Sequence, residues 1–143
     1  RAQMAQEPNM DMPGFESLPL RKRLEIASHG EMPVYDGMTV AGLTKLGFSM
    51  DELYRFVAPR RTLARRIAKG EALTIPENDS ALRLVRIVGL ANRIFGNEEK
   101  ARQWLRKPNR SLSGIAPIDL LESEAGAHMI EEALYRIDYG IYA

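Results

Sequence analysis

The run Pro59-Arg60-Arg61-Thr62-Leu63-Ala64-Arg65-Arg66-Ile67-Ala68-Lys69 carries five bases and no acid. Cationic side chains at this density attract the phosphates of a nucleic-acid duplex. An Arg placed in the major groove can also bond a guanine edge with two donors. The spacing predicts a helix. Leu63 and Ile67 fall four apart on one face with Ala64 and Ala68 beside them, and Arg61, Thr62, Arg65, Arg66 and Lys69 fall on the other. Pro59 suits a first helical position, where its missing N–H costs nothing. Gly70 suits the position just past the end. Arg60, Arg61, Thr62, Arg65, Arg66 and Lys69 are therefore the candidate DNA-contacting residues. A solvated surface helix would show the same pattern, so the flanking elements have to decide.

No other constellation points to chemistry. His29 and His128 are far apart, and neither pairs with a Ser or Cys in a nucleophile motif. There is no Cys, which removes disulfide frameworks and thiolate metal sites. Neither a phosphate-binding loop nor a dinucleotide fingerprint is present. Glu131 and Glu132 are adjacent, so on a helix they diverge and cannot serve one centre. The expectation is a protein with no catalytic residue, no metal ligands and no cofactor: not an enzyme.

Charge is unevenly distributed. From Pro117 to Ala143 six acids face a single base, Arg136, for a local charge of −5; the net charge of the chain is +1, so the rest carries +6. A basic front and an acidic back suggest two faces with two different partners. No apolar run reaches membrane length: Leu82 to Phe95 is interrupted by Arg83, Arg86, Asn92 and Arg93. No secretion signal is visible, so a cytoplasmic setting without a membrane partner is expected.

The elements that would position the basic run read as helices throughout. Residues 1–14 look like a flexible tail. A first helix is expected over Leu20 to Ser28, then a loop from Glu31 to Gly37. Thr39 to Leu46 forms a short helix on Val40 and Leu43, closed by Gly47. Ser49-Met50-Asp51-Glu52 is a capping box opening a helix that buries Leu53, Phe56 and Val57. Ala58 turns directly into the basic helix. Short helices joined this tightly are the pattern of a helix-turn-helix, whose second helix lies in the major groove. Glu71 to Asn78 reads as a linker, with Asn78 or Asp79 capping a helix from Ser80 to Phe95 that is apolar nearly all round, a mark of a central or interfacial helix. Asn97 starts another, with Ala101, Trp104 and Leu105 inward, and Pro108-Asn109 stops it. Ser123 caps a last helix, Glu124 to Tyr139, with Met129, Ile130, Ala133, Leu134 and Ile137 as its seam. Period-two alternation is absent, so the expected fold is all-α: a tail over 1–14, a helix-turn-helix unit over 15–75 and a small helical domain over 76–143.

The second half carries a family resemblance. The pattern is Ala101-x-x-Trp104-Leu105-x-x-Pro108-Asn109-x-x-Leu112-x-Gly114-x-x-Pro117-Ile118-x-Leu120-Leu121, then Glu124-x-Gly126, then Leu134-x-Arg136-Ile137-x-Tyr139-Gly140. It resembles the toxin-binding C-terminal domain of Xre/ParS/MbcA-type antitoxins. Upstream, Arg61-Thr62-Leu63-x-Arg65-Arg66 and Gly70-x-x-Leu73 resemble the Xre-like helix-turn-helix that precedes that domain. The likeness runs over residues 20–143. Two positions depart from the family pattern. Ala116 stands where a Thr is expected before Pro117, and Arg60 where a Ser-like residue is expected, which adds a base to the DNA face.

The resemblance implies a type II antitoxin that binds and inhibits a cognate toxin and represses its own operon. The partner it implies is a RES-domain toxin that consumes NAD, its active-site entrance covered by the antitoxin's C-terminal region. An NAD site needs positive potential around the pyrophosphate, to which the acids Glu124, Glu131, Glu132 and Asp138 are complementary. Tyr135, Tyr139, Ile141, Tyr142 and Ala143 complete the expected toxin-binding set, with Ile141 and Tyr142 as a plug. Operator DNA is the second expected partner, read by a homodimer or larger assembly because operators present two half-sites. Two other readings stay open: a stand-alone helix-turn-helix regulator that needs no toxin, and a pure adaptor without DNA affinity.

Overall fold

The computed structural model describes residues 34–140 together with Leu20. The expected tail over 1–14, the rest of the helix expected at Leu20 to Ser28, and Ile141, Tyr142 and Ala143 lie outside the described residues. Among the described residues there are six α-helices and no strand: α1 (Gly37–Ala41), α2 (Met50–Phe56), α3 (Arg60–Lys69), α4 (Ile75–Phe95), α5 (Glu98–Arg106) and α6 (Glu124–Asp138). The fold is all-α, as expected. The chain divides into two compact units, one ending at Arg86 and one beginning at Ile87, so the boundary falls inside α4. No helix among the described residues is long and apolar enough to cross a membrane.

In the first unit, Asp36 caps α1 by accepting from the Thr39 backbone N–H at 2.8 Å and from its hydroxyl at 2.9 Å. The expected helix to Leu46 continues only as a 3-10 turn, Gly42–Leu46, which Gly47 ends at φ 104°. The Ser49 capping box is present, with Glu52 N–H on Ser49 Oγ and Ser49 N–H on Glu52 Oε1. Leu53, Phe56 and Val57 are buried as the pattern requires, and Phe56 meets Phe48 edge to face at 6.5 Å. Pro59 stands one place earlier than expected, as the cap of α3 rather than its first helical residue.

Two segments that read as loop and linker pair with each other. Gly37 N–H donates to the Glu71 carbonyl and Leu73 N–H to the Tyr35 carbonyl, both at 2.9 Å. The linker is also shorter than expected, because α4 begins at Ile75. Thr74 and Glu77 form a reciprocal cap: Thr74 N–H on Glu77 Oε1 at 3.0 Å, Glu77 N–H on Thr74 Oγ1 at 3.3 Å. Pro76 lies in the first turn, where a missing N–H is harmless. Asn78 is thus no cap but a buried residue of α4. Along α4, Ala81, Leu84, Val85, Ile87, Val88, Leu90 and Ala91 are buried on more than one face.

In the second unit, Asn97 caps α5 through the Lys100 N–H. Ala101 and Leu105 are buried, whereas Trp104 is half-buried, its ring 5.9 Å from that of Phe95. Asn109 organises the following loop. Its side-chain oxygen takes the Ser111 N–H and hydroxyl, and its carbonyl takes the N–H groups of Leu112 and Gly114. Ala116 precedes the 3-10 turn Pro117–Leu120 and makes no side-chain cap, having no hydroxyl. Ser123 then caps α6 through Gly126 N–H at 3.0 Å. Gly126 rests so closely on the Leu120 carbonyl that a Cβ there would overlap it.

Candidate functional site

The basic helix α3 presents a face different from the one its seam predicts. Leu63 is buried and Ile67 half-buried, but Ala64 and Ala68, expected beside them, are exposed. The outward surface reads Arg61, Ala64, Arg65, Ala68, Lys69, with Arg60 at its edge. Cations therefore flank a strip of small residues, and a phosphate backbone or a groove floor can approach that strip closely.

Thr62 and Arg66 turn away from this surface. The cause lies on α1: Gly37 sits where a Cβ would overlap the backbone of Arg66 and Ile67, so the two helices meet main chain to main chain. That approach swings the Arg66 side chain into the fold, where it is 13% exposed. Its Nε and Nη2 donate to the two carboxylate oxygens of Glu77 at 2.7 and 3.1 Å, and its Nη1 donates to Glu71 Oε1 at 3.1 Å. A two-pronged carboxylate pair of this kind is strong and directional. For Glu77, burial pushes the carboxyl up, but the hydrogen bonds from Arg66 and the Thr74 N–H outweigh it and hold it below its ordinary value. The hydrogen bond from Arg65, aided by the nearby charges, does the same for Glu71. Arg66, expected on the cationic face, is engaged in holding α3 to the start of α4.

The remaining bases differ in their ties. Arg60 pairs with Asp51 at 3.2 Å and lies 4.7 Å from the Tyr54 ring centroid, both on α2. Arg65 Nε donates to Glu71 Oε1 at 3.1 Å while its side chain stays 46% exposed. Arg61 makes no ion pair among the described residues, and Lys69 is exposed in the last turn.

On α6, Gly126, Ala127, Ile130, Ala133 and Leu134 are buried. Met129, expected in the seam, is 49% exposed. His128, Glu132, Tyr135 and Tyr139 recur along the outward side at helical spacing. Tyr135 and Tyr139 stack at 6.3 Å with ring planes 21° apart, and Tyr139 is 72% exposed. Glu124 and Asp138 are exposed as well, whereas Glu131 is half-buried with an oxygen 3.4 Å from His128 Nδ1. Glu131 and Glu132 thus diverge, as their adjacency requires.

Sequence reasoning passed over Gly37, Glu71, Glu77, Asn78 and Asn109. Thr74-x-x-Glu77 is itself a capping-box signature, so Glu77 was within reach. Asn109 also acts locally, on Ser111, Leu112 and Gly114, and Glu71 on Arg65 and Arg66, whereas Gly37 and Asn78 act on partners too distant along the chain for a local pattern to signal them.

The sequence and the fold are similar to those of a known group. Residues 90–140 match the model of the antitoxin Xre/MbcA/ParS C-terminal toxin-binding domain. A protein of Pseudomonas putida described as antitoxin Xre is 34% identical over 121 residues, 81% of this chain and 76% of the relative. Another antitoxin Xre, of Yersinia enterocolitica, is 26% identical over 148 residues, with 92% of this chain and its whole length covered. A chain of the Mycobacterium tuberculosis MbcT-MbcA toxin-antitoxin complex shares the fold, with TM-score 0.55 and 21% identity over 75% of this chain and 96% of its own. The chain belongs to the Xre antitoxin family.

Proposed function

We propose that this protein neutralises a cognate RES-type, NAD-degrading toxin with its C-terminal region and represses its own operon through α3. The observation that carries the first part is the stacked Tyr135–Tyr139 pair, exposed on α6 beside Glu132 and Asp138 within the segment that matches the toxin-binding domain. Aromatic side chains held by each other lose little freedom on docking, and such residues dominate binding energy at protein interfaces. The acids around them suit an entrance that is electropositive because it binds a pyrophosphate, and opposite charge speeds encounter. Ile141, Tyr142 and Ala143, next in the sequence, are assigned to the same toxin-binding set.

For DNA, the outward strip of α3 is the reading surface. Arg61, Arg65 and Lys69 contact phosphate or guanine, Arg60 reaches the backbone from the helix start, and Ala64 and Ala68 let the helix seat closely. Thr62 and Arg66 serve by orientation rather than by contact. A dimer or larger assembly supplies the second half-site, with the half-buried Trp104 region as the surface for self-association, since the apolar residues of α4 are buried within the chain itself.

The test is co-expression with the product of the neighbouring reading frame. The full chain should restore growth and co-purify with that product. A chain lacking Tyr139 to Ala143 should do neither, while still binding its promoter fragment. Arg61→Ala with Arg65→Ala should reverse the pattern. Protection by the shortened chain would refute the C-terminal plug, and promoter binding by the double Arg variant would refute the role of α3.

A further inference from the structure

We propose that Glu71 is an internal stand-in for a DNA phosphate, which occupies Arg65 while the α3 face is empty and limits non-specific DNA affinity. This rests on the reading of α3 as the DNA-contacting helix.

Glu71 Oε1 accepts from two guanidiniums at once, Arg65 Nε and Arg66 Nη1, each at 3.1 Å. The two differ in what they can do next. Arg66 is also gripped by both oxygens of Glu77 and is largely buried, so it stays. Arg65 is tied only once and lies on the outward face with Arg61 and Lys69. An exposed ion pair with a single contact is weak, so an incoming phosphate can take Arg65 from it. Glu71 is not orphaned by that exchange, because Arg66 still donates to it.

Nor can Glu71 move aside. Its N–H donates to the Arg66 carbonyl at 3.0 Å, and its own carbonyl accepts from Gly37 N–H at 2.9 Å. With the main chain fixed there and the carboxylate held by Arg66 Nη1 at 3.1 Å, the negative charge remains at the edge of the DNA face and opposes every phosphate that arrives there. Arg65 is held on the outward face by this one contact, but part of its attraction is already spent. Contacts that place Arg65 well must then supply what charge alone does not. A fixed acid beside the reading helix thus raises discrimination by weakening the sequence-independent share of binding.

The experiment is salt-dependent binding of a random-sequence duplex by the full chain, followed by fluorescence anisotropy between about 50 and 200 mM salt. Glu71→Gln keeps the backbone hydrogen bonds and leaves Arg66 on Glu77, and Glu71→Ala checks that the new amide does not itself hold Arg65. Both variants should bind random duplex roughly threefold to tenfold more tightly at low salt, with a log–log salt slope steeper by at most about 0.9, because one acid no longer offsets the phosphates that the α3 cations neutralise. The gain should be clearly smaller when Arg65→Ala is also present, because only the direct repulsion by Glu71 is then relieved. If the wild type binds duplex but the Glu71 variants bind no better, or gain as much without Arg65, the stand-in role is wrong and α3 keeps its assignment. If neither the wild type nor the variants bind duplex at low salt, the DNA reading itself fails and this inference falls with it.

Discussion

The side-chain oxygen of Asn78 accepts the backbone N–H of Tyr35 at 2.8 Å, a buried hydrogen bond across 43 positions of sequence. Tyr35 is 2% exposed, and burial pushes its hydroxyl up to about 12. Replacing Asn78 by Leu keeps the branched shape and the number of side-chain heavy atoms but strands that N–H in the interior. The expected cost is about 1–3 kcal/mol, the usual penalty for an unsatisfied buried donor. Equilibrium urea unfolding of the first unit's signal measures it, and an unchanged midpoint would show that the N–H finds another acceptor.

Gly37 predicts a contrast between two glycines. At Gly37 an added methyl would overlap the main chain of Arg66 and Ile67, so α1 and α3 must part. Gly37→Ala should destabilise by about 1–3 kcal/mol or more, as overpacking does. At Gly70 nothing lies within 4 Å of such a methyl, and only the left-handed backbone, φ 64°, resists it. Gly70→Ala should cost about 1–2 kcal/mol. The two also separate in DNA binding, because only the first disturbs the seat of α3.

The clamp on Arg66 gives an acid-sensitive component of stability. Glu71 and Glu77 both sit below the ordinary value of 4.5 in the folded chain. Their contribution is therefore fully present above that pH and is lost as pH falls through the depressed values. Urea midpoints of the wild type and Glu77→Gln should differ at pH 7 and converge as pH falls from 4.5 through the depressed value of Glu77. A difference that persisted to pH 2 would assign the stabilisation to something other than the carboxylates.

The stacked tyrosines make the fourth prediction. Tyr139→Ala should weaken the complex with the cognate toxin at least about 30-fold, the threshold of about 2 kcal/mol for an interface hot spot. Met129→Ala, exposed on the same helix but away from the stack, should change affinity less. Calorimetric titration of purified toxin resolves the two, and equal losses would mean the stack has no special part.

Much of this architecture is legible in the sequence because helix ends are written locally. Ser49, Asn97 and Ser123 cap within three residues of themselves, and Gly47, Gly70 and Gly96 close their helices in left-handed geometry. The start of α4 is less legible, because Pro76 reads as a breaker until Thr74 and Glu77 are seen as its cap. The direction in which α3 faces is not local at all. Leu63 and Ile67 define a seam too thin to say which flank the alanines take, and Gly37, on another helix, decides it. Met129 shows the same limit on α6: an apolar side chain can belong to a core or to a binding surface, and its type does not tell which.

The pairing of Tyr35 and Gly37 with Glu71 and Leu73 also orders events in time. A protein made from its N-terminus on the ribosome has α1, α2 and α3 in hand before the residues that fasten them exist. Because Leu73, Glu77 and Asn78 come last, the first unit closes only when the opening turns of α4 have emerged. Until then Val40, Leu43 and Leu63 have no finished core to enter. A nascent chain arrested shortly after Gly70 would carry every base of α3 and still lack the two carboxylates, Glu71 and Glu77, that fasten Arg66.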